Sequence, residues 1–427
     1  MAIRALLAGK ELTMRIVLFT ETYLPHLNGV VTHVDLLRRA FTSMGHDVLV
    51  VTASDVTEPV LENGVLRCPG SNLKKIYNYQ LASPVSPLRK KFVEEFSPDI
   101  IHIHNEFGIG FSGLQIAKSL KLPVVYTLHS DYDQFLYYIS HSNPALDQAV
   151  AKAVNQYLKF FIKRVTLLVS PSPKAESYAR RVGSKKPVHV LANAVDVADY
   201  REPRVDPSFR QSYRLANKIG EKTAAFIFVG RIGQEKQINE LIYNFCQLNL
   251  SPDEARLFIY GKGPGEKELQ DLIKLLKLND RVEWKGSVPN TEIPNILSAM
   301  DYYITASQSE MHSISMLEAQ AVGLPALALS DPLNDWQIEE GVNGFIWHDK
   351  EELNNIVKKL LAQSPADKAA LHQACRNWSD QHDYMDQAHK LLNLYREAIE
   401  LYRDKQDRKK FKKLLKRQTG EKTQNEE

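Results

Sequence analysis

The sequence predicts an α/β protein made of two doubly wound halves that face each other across a cleft. Short β-branched runs alternate with helical segments along most of the chain, which is the pattern of a parallel sheet wrapped by helices. The pattern lapses at the polar, proline-containing segment 201–208 and then restarts. A length of 427 residues also fits two domains of about 200 residues each.

Each half contains strand-like segments that alternate with helical ones. In the first half, strands are expected at 15–20, 46–53, 98–105, 123–129, 165–172 and 188–195. They are connected by a loop at Asn28-Gly29, a helix at 32–44, a glycine-rich turn at 108–113 and a long helix at 144–164. In the second half, strands are expected within 224–232, 255–265, 282–286, 300–307, 325–330 and 344–347, and the chain is expected to be helical from 349 onwards.

These patterns divide the chain into five parts. They are an extension at 1–13, a first domain at 14–203, a second domain at 204–380, a helix at 381–402 that crosses back to the first domain, and a basic tail at 403–427. The tail contains ten Lys or Arg and five Asp or Glu, which gives it a net charge of +5. Because the whole chain has a net charge of +3, residues 1–402 together carry −2. A nearly neutral body argues against nucleic-acid binding.

The composition, 44% hydrophobic and 25% charged, is that of a soluble globular protein. Its three cysteines, Cys68, Cys246 and Cys375, are far apart and form neither a metal-binding spacing nor a disulfide framework, so a cytoplasmic location is expected. No apolar run approaches the ~20 residues of a transmembrane helix. The N-terminal segment lacks the hydrophobic region and cleavage site of a signal peptide.

The most informative stretch is 309–325, SEMHSISMLEAQAVGLP. If 311–313 form a loop and Ile314–Val322 a helix, Glu310 lies at the mouth of the loop and Glu318 lies about one turn into the helix. Such a helix N terminus presents backbone amides and a positive dipole to an anion, and the two carboxylates can hold hydroxyl groups. A sugar joined to a nucleotide diphosphate has both features.

Three loops of the second half directly follow predicted strands and should therefore meet at one rim of the sheet. The first contains Arg231 and Lys236 and the second, 307–313, contains Glu310; if they meet, the two cations can hold a diphosphate, Arg as a planar fork and Lys as a compact charge. Taken alone, each is better explained as a solvated surface charge. The third loop, GKGPG at 261–265, fits a tight turn as well as a nucleotide contact, because it completes neither a dinucleotide fingerprint nor an ATPase phosphate loop.

Candidate residues also follow strands of the first half. Gly29 would let the backbone approach a phosphate or a sugar closely, because it has no side chain. His129 is expected to contact the reacting sugar, with a structural role as the alternative, and His104 is expected near the acceptor. The segment Asp131-Tyr132-Asp133 is similar to a metal-binding Asp-x-Asp, but an Asp at a helix start is commonly a cap, so no metal is predicted.

Four segments together resemble the retaining glycosyltransferases of family four, namely FTETYLPHLNGVVTHV, GRIGQEKQ, YGKGPGEKELQ and DYYITASQSEMHSISMLEAQAVGLP. The resemblance implies the GT-B fold, with a first Rossmann-like domain for the acceptor and a second for a nucleotide sugar. It implies no cofactor besides this sugar donor as co-substrate. The chain departs from the usual family pattern at His312-Ser313, where Phe-Gly is common, and at Gln237, where glycine commonly follows the lysine.

The resemblance also implies roles for individual positions. Arg231 and Lys236 match the pair that binds the donor diphosphate and stabilises the leaving group. Glu310 matches the glutamate that contacts the donor sugar, Glu318 matches the one that holds the ribose hydroxyls, and His129 matches the histidine near the transferred sugar. The other implied donor contacts are glycines and backbone amides that let phosphates approach, namely Gly29, Gly230, Gly263, Ser313, Ile314 and Ser315.

Within the family, YTLHSDYDQFLYYI is similar to the corresponding region of bacterial diacylglycerol glucosyltransferases. The tail segment FKKLLK at 411–416 has apolar residues at helical spacing among lysines, which suits an anionic membrane surface or a solubilising tail. Lys74, Lys75 and 89–91 add to a basic surface. Together these features predict UDP-glucose as the donor, diacylglycerol as the acceptor and a peripheral position on the inner face of the cell membrane. Two alternatives stay open: a soluble or polymeric cell-envelope acceptor, and a catalytically idle GT-B partner protein.

Overall fold

The computed structural model describes residues 13–26, 28–73, 79–130, 144–202 and 204–418. The predictions for residues 1–12, for Lys74 and Lys75, for Asp131-Tyr132-Asp133 and for the side chains of 411–418 fall outside the described residues and stay predictions. Within the described residues, the chain forms two sheets with helices packed against them. The predicted pair of doubly wound α/β domains is therefore confirmed.

Nine strands in the described part of the chain form the first sheet. They are β1 (Arg15–Thr20), β2 (Asp47–Ser54), β3 (Val60–Glu62), β4 (Val65–Leu73), β5 (Tyr79–Ala82), β6 (Ile100–Ile103), β7 (Val124–Thr127), β8 (Leu167–Ser170) and β9 (Val188–Val190). Their order is β3-β4-β2-β1-β6-β7-β8-β9, with β5 also paired to β4. The central strands are buried on both faces, which is why they read as continuous apolar runs in the sequence.

Strands β3 and β4 form an antiparallel hairpin that the sequence analysis missed. Leu61 pairs with Leu66, and Asn63 and Gly64 form the two-residue turn between the strands. Both turn residues have positive φ, 49° and 74°. The signal was present, because Asn-Gly between apolar residues favours this hairpin turn.

In the part of the chain that the structure describes, five helices flank the first sheet: α1 (Gly29–Ser43), α2 (Pro87–Phe96), α3 (Gly108–Leu120), α4 (Pro144–Ile162) and α5 (Lys174–Arg181). The predicted start of α1 at residue 32 was wrong. The helix begins at Gly29 because the Asn28 side chain caps it and accepts a hydrogen bond from the Val31 amide at 3.0 Å. Gly29 therefore belongs to the helix rather than to a loop.

The predicted glycine-rich turn at 108–113 was also wrong, because these residues form the first half of α3. The glycines allow the helix to lie close against the sheet. A Cβ atom at Gly113 would lie 2.9 Å from Cγ of Phe19 on β1, and one at Gly110 would overlap the backbone oxygen of Asn105. Glycine here reflects packing rather than chain reversal.

The second sheet contains six parallel strands, β10 (Ala224–Val229), β11 (Ala255–Tyr260), β12 (Val282–Gly286), β13 (Tyr302–Thr305), β14 (Ala326–Leu329) and β15 (Gly344–Trp347). Its helices are α6 (Phe209–Ala216), α7 (Ile238–Cys246), α8 (Glu266–Leu275), α9 (Ile293–Ser298), α10 (Ile314–Val322), α11 (Asn334–Gln337), α12 (Lys350–Leu361) and α13 (Pro365–Ser379). The predicted bounds of α10 are confirmed.

Both sheets reverse their strand order at one point. The first reverses between β1 and β6, and the second, with the order β12-β11-β10-β13-β14-β15, reverses between β10 and β13. In open parallel sheets, ligands bind beyond the carboxyl ends of the strands at such a switch point. The fold therefore places one candidate site at the loops that follow β10 and β13.

Two segments link the halves. The 3-10 helix Val197–Tyr200, before the predicted boundary at 203, packs against Leu317 and Ala321 of α10. The last helix, α14 (Tyr384–Gln418), returns to the first domain, where Tyr395 shares a buried cluster with Phe41 of α1. The predicted crossing of the C-terminal helices is thus confirmed. None of the described helices, α14 included, has the length and apolarity needed to cross a bilayer.

Candidate functional site

The loops after β10 and β13 bring two predicted residues into contact. Lys236 ends the 3-10 helix Gln234–Lys236 after β10, and Glu310 lies in the loop between β13 and α10. The Lys236 ammonium forms an ion pair and hydrogen bond with the Glu310 carboxylate. Ser307 donates a hydrogen bond to the same carboxylate oxygen at 3.2 Å. The predicted convergence of these two loops is seen directly in this contact.

The electrostatics of this cluster keep Glu310 ionised. Burial opposes the negative charge, but the Lys236 ammonium, its hydrogen bond and that from Ser307, together with the charge of Arg231, more than offset it. The pKa of Glu310 is consequently held below its ordinary value. The cluster therefore presents an oriented ammonium group in a largely water-excluded position.

Arg231, two residues after β10, is paired with Glu235. The Arg231 Nε donates to Glu235 Oε1 at 2.8 Å, and its Nη2 contacts the same oxygen. The Glu235 side chain is almost completely buried, whereas that of Arg231 is partly exposed. The pairing fixes the plane of the guanidinium at the rim of the sheet. Sequence reasoning did not identify this orienting contact of Glu235.

Gln237 adopts a left-handed backbone conformation, with φ 50° and ψ 40°. This conformation suits glycine, the residue that the family resemblance implies after the lysine. Here the Gln237 side chain donates a hydrogen bond to Gln308 Oε1 at 3.0 Å, in the loop that carries Glu310. Glutamine at this position therefore carries the cost of a left-handed backbone and, in return, connects the two site loops through its side chain.

Replacing Gln237 by glycine is expected to change the free energy of unfolding by no more than about 1 kcal/mol. Glycine removes a left-handed cost of about 1–2 kcal/mol but loses a hydrogen bond worth about 1 kcal/mol and adds unfolded-state entropy of about 0.5–1 kcal/mol. Gln237→Ala keeps the strained backbone and loses the hydrogen bond, so it should be destabilised by about 1 kcal/mol. Urea unfolding followed by tryptophan fluorescence compares them. A glycine variant less stable than the alanine variant would contradict this account.

The N terminus of α10 is capped by Ser313, whose Oγ accepts a hydrogen bond from the Met316 amide at 3.3 Å. The backbone amide of Ser313 itself donates to Gln337 Oε1 at 2.9 Å, and Gln337 Nε2 donates back to the Ser313 carbonyl at 3.0 Å. Gln337 therefore occupies the Ser313 amide in this structure, and the predicted contact of that amide with a phosphate stays a prediction. Ile314 and Ser315 are in the first turn of α10, whose amides have no acceptor within the helix, so their predicted role stays a prediction.

The departure at His312-Ser313 is accommodated without distorting α10. Ser313 has φ −74° and ψ 112°, a conformation that needs no glycine. The His312 ring is buried and packs edge-on against Trp336 at 5.4 Å between ring centroids. Its carbonyl accepts a hydrogen bond from Asn193 Nδ2 at 2.9 Å, so this loop is also tied to the segment that follows β9.

The site loops of the second half lie against the first half. Lys174 of α5 donates to the Gln308 carbonyl at 2.9 Å and pairs with Asp331 at 3.3 Å. Met311, next to Glu310, belongs to the same buried apolar cluster as Leu128, which precedes His129. A Cβ atom at Gly29 would lie 3.7 Å from Cδ1 of Ile314. Gly29 and the N terminus of α10, both predicted donor contacts, are thus neighbours across the cleft.

Glu318 lies in α10 beside Tyr200 of the connecting 3-10 helix. Burial raises the pKa of Glu318 to about 7, and a hydrogen bond from the Tyr200 hydroxyl opposes this shift only in part. Sequence reasoning did not identify Tyr200, because the connecting segment carries no motif. The carboxyl group is therefore poised to change its charge near neutral pH.

Gly230 and Gly263 lie where two site loops touch. A Cβ atom at Gly263 would be 2.2 Å from the Ile232 backbone oxygen, and the Gly263 amide already donates a hydrogen bond to Glu266 Oε1 at 2.8 Å. The Gly230 amide donates to the Tyr260 carbonyl at 3.0 Å. For Gly263 these contacts favour the structural alternative, a close packing of the GKGPG loop on the loop after β10.

His129, which is half-buried, stands beside buried histidines at the carboxyl edge of the first sheet. Its Nε2 lies 3.1 Å from Nδ1 of His104, and the two rings stack at 5.3 Å. His33 of α1 stands edge-on to both, at 5.0 Å from His129 and 5.4 Å from His104. Burial and the neighbouring histidines hold the pKa of His104 and of His129 well below the ordinary value, so these imidazoles are neutral at neutral pH. The sequence analysis did not identify His33, because nothing in the sequence distinguishes it from other polar residues of the predicted helix.

Comparison with known proteins identifies relatives of both halves. The family model described as glycosyl transferases group 1 matches residues 209–378, and that described as glycosyltransferase family 4 matches residues 27–199. The chain is 30% identical over 359 residues to an alpha-monoglucosyldiacylglycerol synthase of Acholeplasma laidlawii, covering 82% of this chain and 87% of that protein. It is 26% identical over 356 residues to the enzyme of the same name from Streptococcus pneumoniae, covering 82% and 79%.

Solved structures share the fold at low sequence identity. The crystal structure of Anabaena HepE in complex with UDP-glucose matches with a TM-score of 0.67 and 18% identity, over 89% of this chain and 99% of that one. The crystal structure of WaaG, a glycosyltransferase of lipopolysaccharide biosynthesis, matches with a TM-score of 0.65 and 17% identity, over 89% and 99%. Both likenesses concern the arrangement of the two domains.

Proposed function

Since this chain belongs to the family 4 glycosyltransferases and has their GT-B fold, we propose that it transfers a hexose, with retention, from a UDP-sugar to an acceptor hydroxyl. The observation that carries this proposal is the pairing of Lys236 with Glu310 at the switch point of the second sheet. Arg231 is held by Glu235 on the same rim, and the α10 N terminus lies beside it. Two cations and a helix dipole at one rim suit a diphosphate.

In the proposed reaction, the bond between the anomeric carbon and the departing phosphate oxygen breaks while the acceptor oxygen bonds to that carbon from the same face. The acceptor proton passes to the departing diphosphate. Because negative charge grows on this leaving group, Lys236 and Arg231 act mainly by stabilising it in a site where water is excluded. Glu310 keeps Lys236 in place and contacts the donor sugar, while His129 contacts the sugar from the first domain.

We propose glucose as the transferred sugar and diacylglycerol as the acceptor. Two relatives that cover most of this chain are named as alpha-monoglucosyldiacylglycerol synthases, and a neighbour in structure binds UDP-glucose. The segment around His129 and the basic tail at 403–427 support the same acceptor.

An aromatic patch on the acceptor domain also fits a lipid surface. The patch consists of Phe107, Phe111, Tyr157 and Phe160, with Phe107 stacked on Tyr157 at 5.2 Å. Phe107 and Phe160 are about two-fifths exposed, at 39% and 38%, although both are large and apolar. Arg164 lies over the Phe160 ring at 3.4 Å. Exposed aromatic rings beside a cation are typical of surfaces that rest in the lipid headgroup region.

The experiment that tests the proposal supplies radiolabelled UDP-glucose or UDP-galactose with vesicles that contain diacylglycerol. The expected product is a labelled glycolipid with α configuration from UDP-glucose. The matched experiment is an incubation without lipid that contains soluble sugar acceptors. If labelled product forms only in that incubation, the acceptor is a soluble sugar and not diacylglycerol. If the protein neither hydrolyses any donor nor transfers sugar to any acceptor, the catalytically idle alternative is favoured.

The Michaelis constant for the donor is expected to fall by about five- to tenfold as the pH rises through about 7. The Michaelis constant falls, and does not rise, because Glu318 is mainly a carboxylate above that pH. A carboxylate accepts stronger hydrogen bonds from ribose hydroxyls than the neutral acid does. Glu318→Gln should remove this dependence. Tyr200→Phe should move the midpoint upwards, because the Tyr200 hydrogen bond lowers the pKa of Glu318. Initial rates over a range of pH measure both, and a flat wild-type profile would contradict the assignment.

A further inference from the structure

Three histidines from separate elements converge at the carboxyl edge of the first sheet. His33 comes from α1, His104 follows β6, and His129 follows β7. One ring nitrogen of each lies within 4.8 Å of a ring nitrogen of the other two. The three residues are 25 to 96 positions apart in the sequence, so the folding of the sheet, not a local motif, assembles the group.

The hydrogen bonding of this group is incomplete. Neither ring nitrogen of buried His33, nor Nε2 of buried His104, has a hydrogen-bond partner among the described residues. Buried polar atoms without a partner are rare, and each costs about 1–3 kcal/mol. By contrast, the adjacent His102 is bonded at both nitrogens, to Tyr395 at 2.6 Å and to Thr127 at 2.7 Å. The fold thus satisfies His102 and leaves both nitrogens of His33 and Nε2 of His104 without a partner, while Nδ1 of His104 and Nε2 of His129 lie at hydrogen-bond distance from each other.

The spacing is close to that of a three-histidine metal site. Zinc binds imidazole nitrogen at about 2.0–2.1 Å in a tetrahedral arrangement, which separates neighbouring nitrogens by about 3.4 Å. His104 Nδ1 and His129 Nε2 are 3.1 Å apart. The remaining nitrogen–nitrogen separations reach at most 4.8 Å, and modest rotation of the rings about their broad χ2 torsions closes that gap.

We propose that His33, His104 and His129 form a binding site for a divalent transition-metal ion of the zinc class, with the fourth position open to the cleft. Imidazole ligands favour zinc, cobalt and copper over magnesium and calcium, which prefer oxygen. The sequence alone had indicated no metal. Ion binding also inhibits transfer, because it withdraws His129 from the donor sugar; this second part rests on the proposed function.

The test titrates the full chain, freed of metal with a chelator, with Co²⁺ and with Zn²⁺. Wild type should bind one ion per chain and show the visible cobalt bands of a four-coordinate nitrogen site, which Zn²⁺ displaces. His33→Asn should weaken this binding at least about tenfold, since it removes one of three ligands. His348→Asn is the matched control, because His348 is exposed, lies in the other domain and is hydrogen-bonded to Glu352 of α12 at 2.7 Å.

Binding that is lost equally in His348→Asn, or cobalt spectra of a six-coordinate surface site in wild type, would overturn the proposal. The wild-type spectrum decides the matter even if His33→Asn does not fold. In glycosyl transfer assays, Zn²⁺ should inhibit wild type and His348→Asn, and His33→Asn should resist it with unchanged metal-free activity. Metal binding is measured without turnover, so a failure of the proposed function is distinguishable from a failure of the metal site.

Discussion

Lys236→Met should lower kcat of sugar transfer by about 10²- to 10³-fold, the loss expected when one preorganised donor is removed from a site that stabilises a departing anion. Lys236 is well placed for this role because Glu310 holds its ammonium group at the switch point of the second sheet. Methionine keeps most of the side-chain volume and removes the charge. Steady-state kinetics with the donor that the product assay identifies provide the measurement.

The variant has a second, separable consequence. Burial disfavours the Glu310 carboxylate, and Lys236 is the main group that offsets this. Lys236→Met therefore leaves a buried charge without its partner, which destabilises the fold and raises the pKa of Glu310. Adding Glu310→Gln should recover stability but not turnover. A double variant that also recovers turnover would show that the single substitution acted through folding alone.

Lys267→Met is the matched control, because Lys267 is an exposed lysine on α8 of the same domain. Its turnover should equal that of wild type. Arg231→Met should also reduce kcat, since its guanidinium is fixed by Glu235 on the same rim. Near-normal turnover in both Lys236→Met and Arg231→Met would remove the leaving-group role from this cluster.

The sequence predicted the second domain well because its site is built from short loops that directly follow strands. The predicted bounds of α10 match the structure, in which Ser313 caps the helix and Gly323 ends it with φ 107°. Once the strands were assigned, parallel order alone implied that the loops with Lys236 and Glu310 meet.

Contacts between segments that are distant in the chain could not be predicted from the sequence. The Gln337 side chain takes the Ser313 amide, and Tyr200 approaches Glu318 from the connecting segment. His33 joins His104 and His129 only through the packing of α1 on the sheet. Each of these contacts depends on side-chain position in the folded protein, and none leaves a periodicity or a spacing that a single sequence reveals.

The crossing helix provides the largest expected effect on stability. Tyr395 of α14 is fully buried against Phe41 of α1, and its hydroxyl is hydrogen-bonded to His102 Nδ1 at 2.6 Å. Tyr395→Ala should cost about 3–5 kcal/mol through the cavity that it leaves. Tyr395→Phe keeps the ring and deprives His102 of one partner, so it should cost about 1–3 kcal/mol.

These losses should be confined to the first domain, because Tyr395 packs there although it follows the second domain in sequence. All four tryptophans, Trp284, Trp336, Trp347 and Trp378, lie after the first domain, so their fluorescence reports the second half. Hydrogen exchange of amides in β1 and β6 should therefore accelerate more in Tyr395→Ala than in Tyr395→Phe, with a nearly unchanged tryptophan transition. Tyr402→Ala, further along the same helix, controls for helix propensity. Equal loss in both halves would mean that α14 stabilises the domain pair as one unit rather than the first sheet.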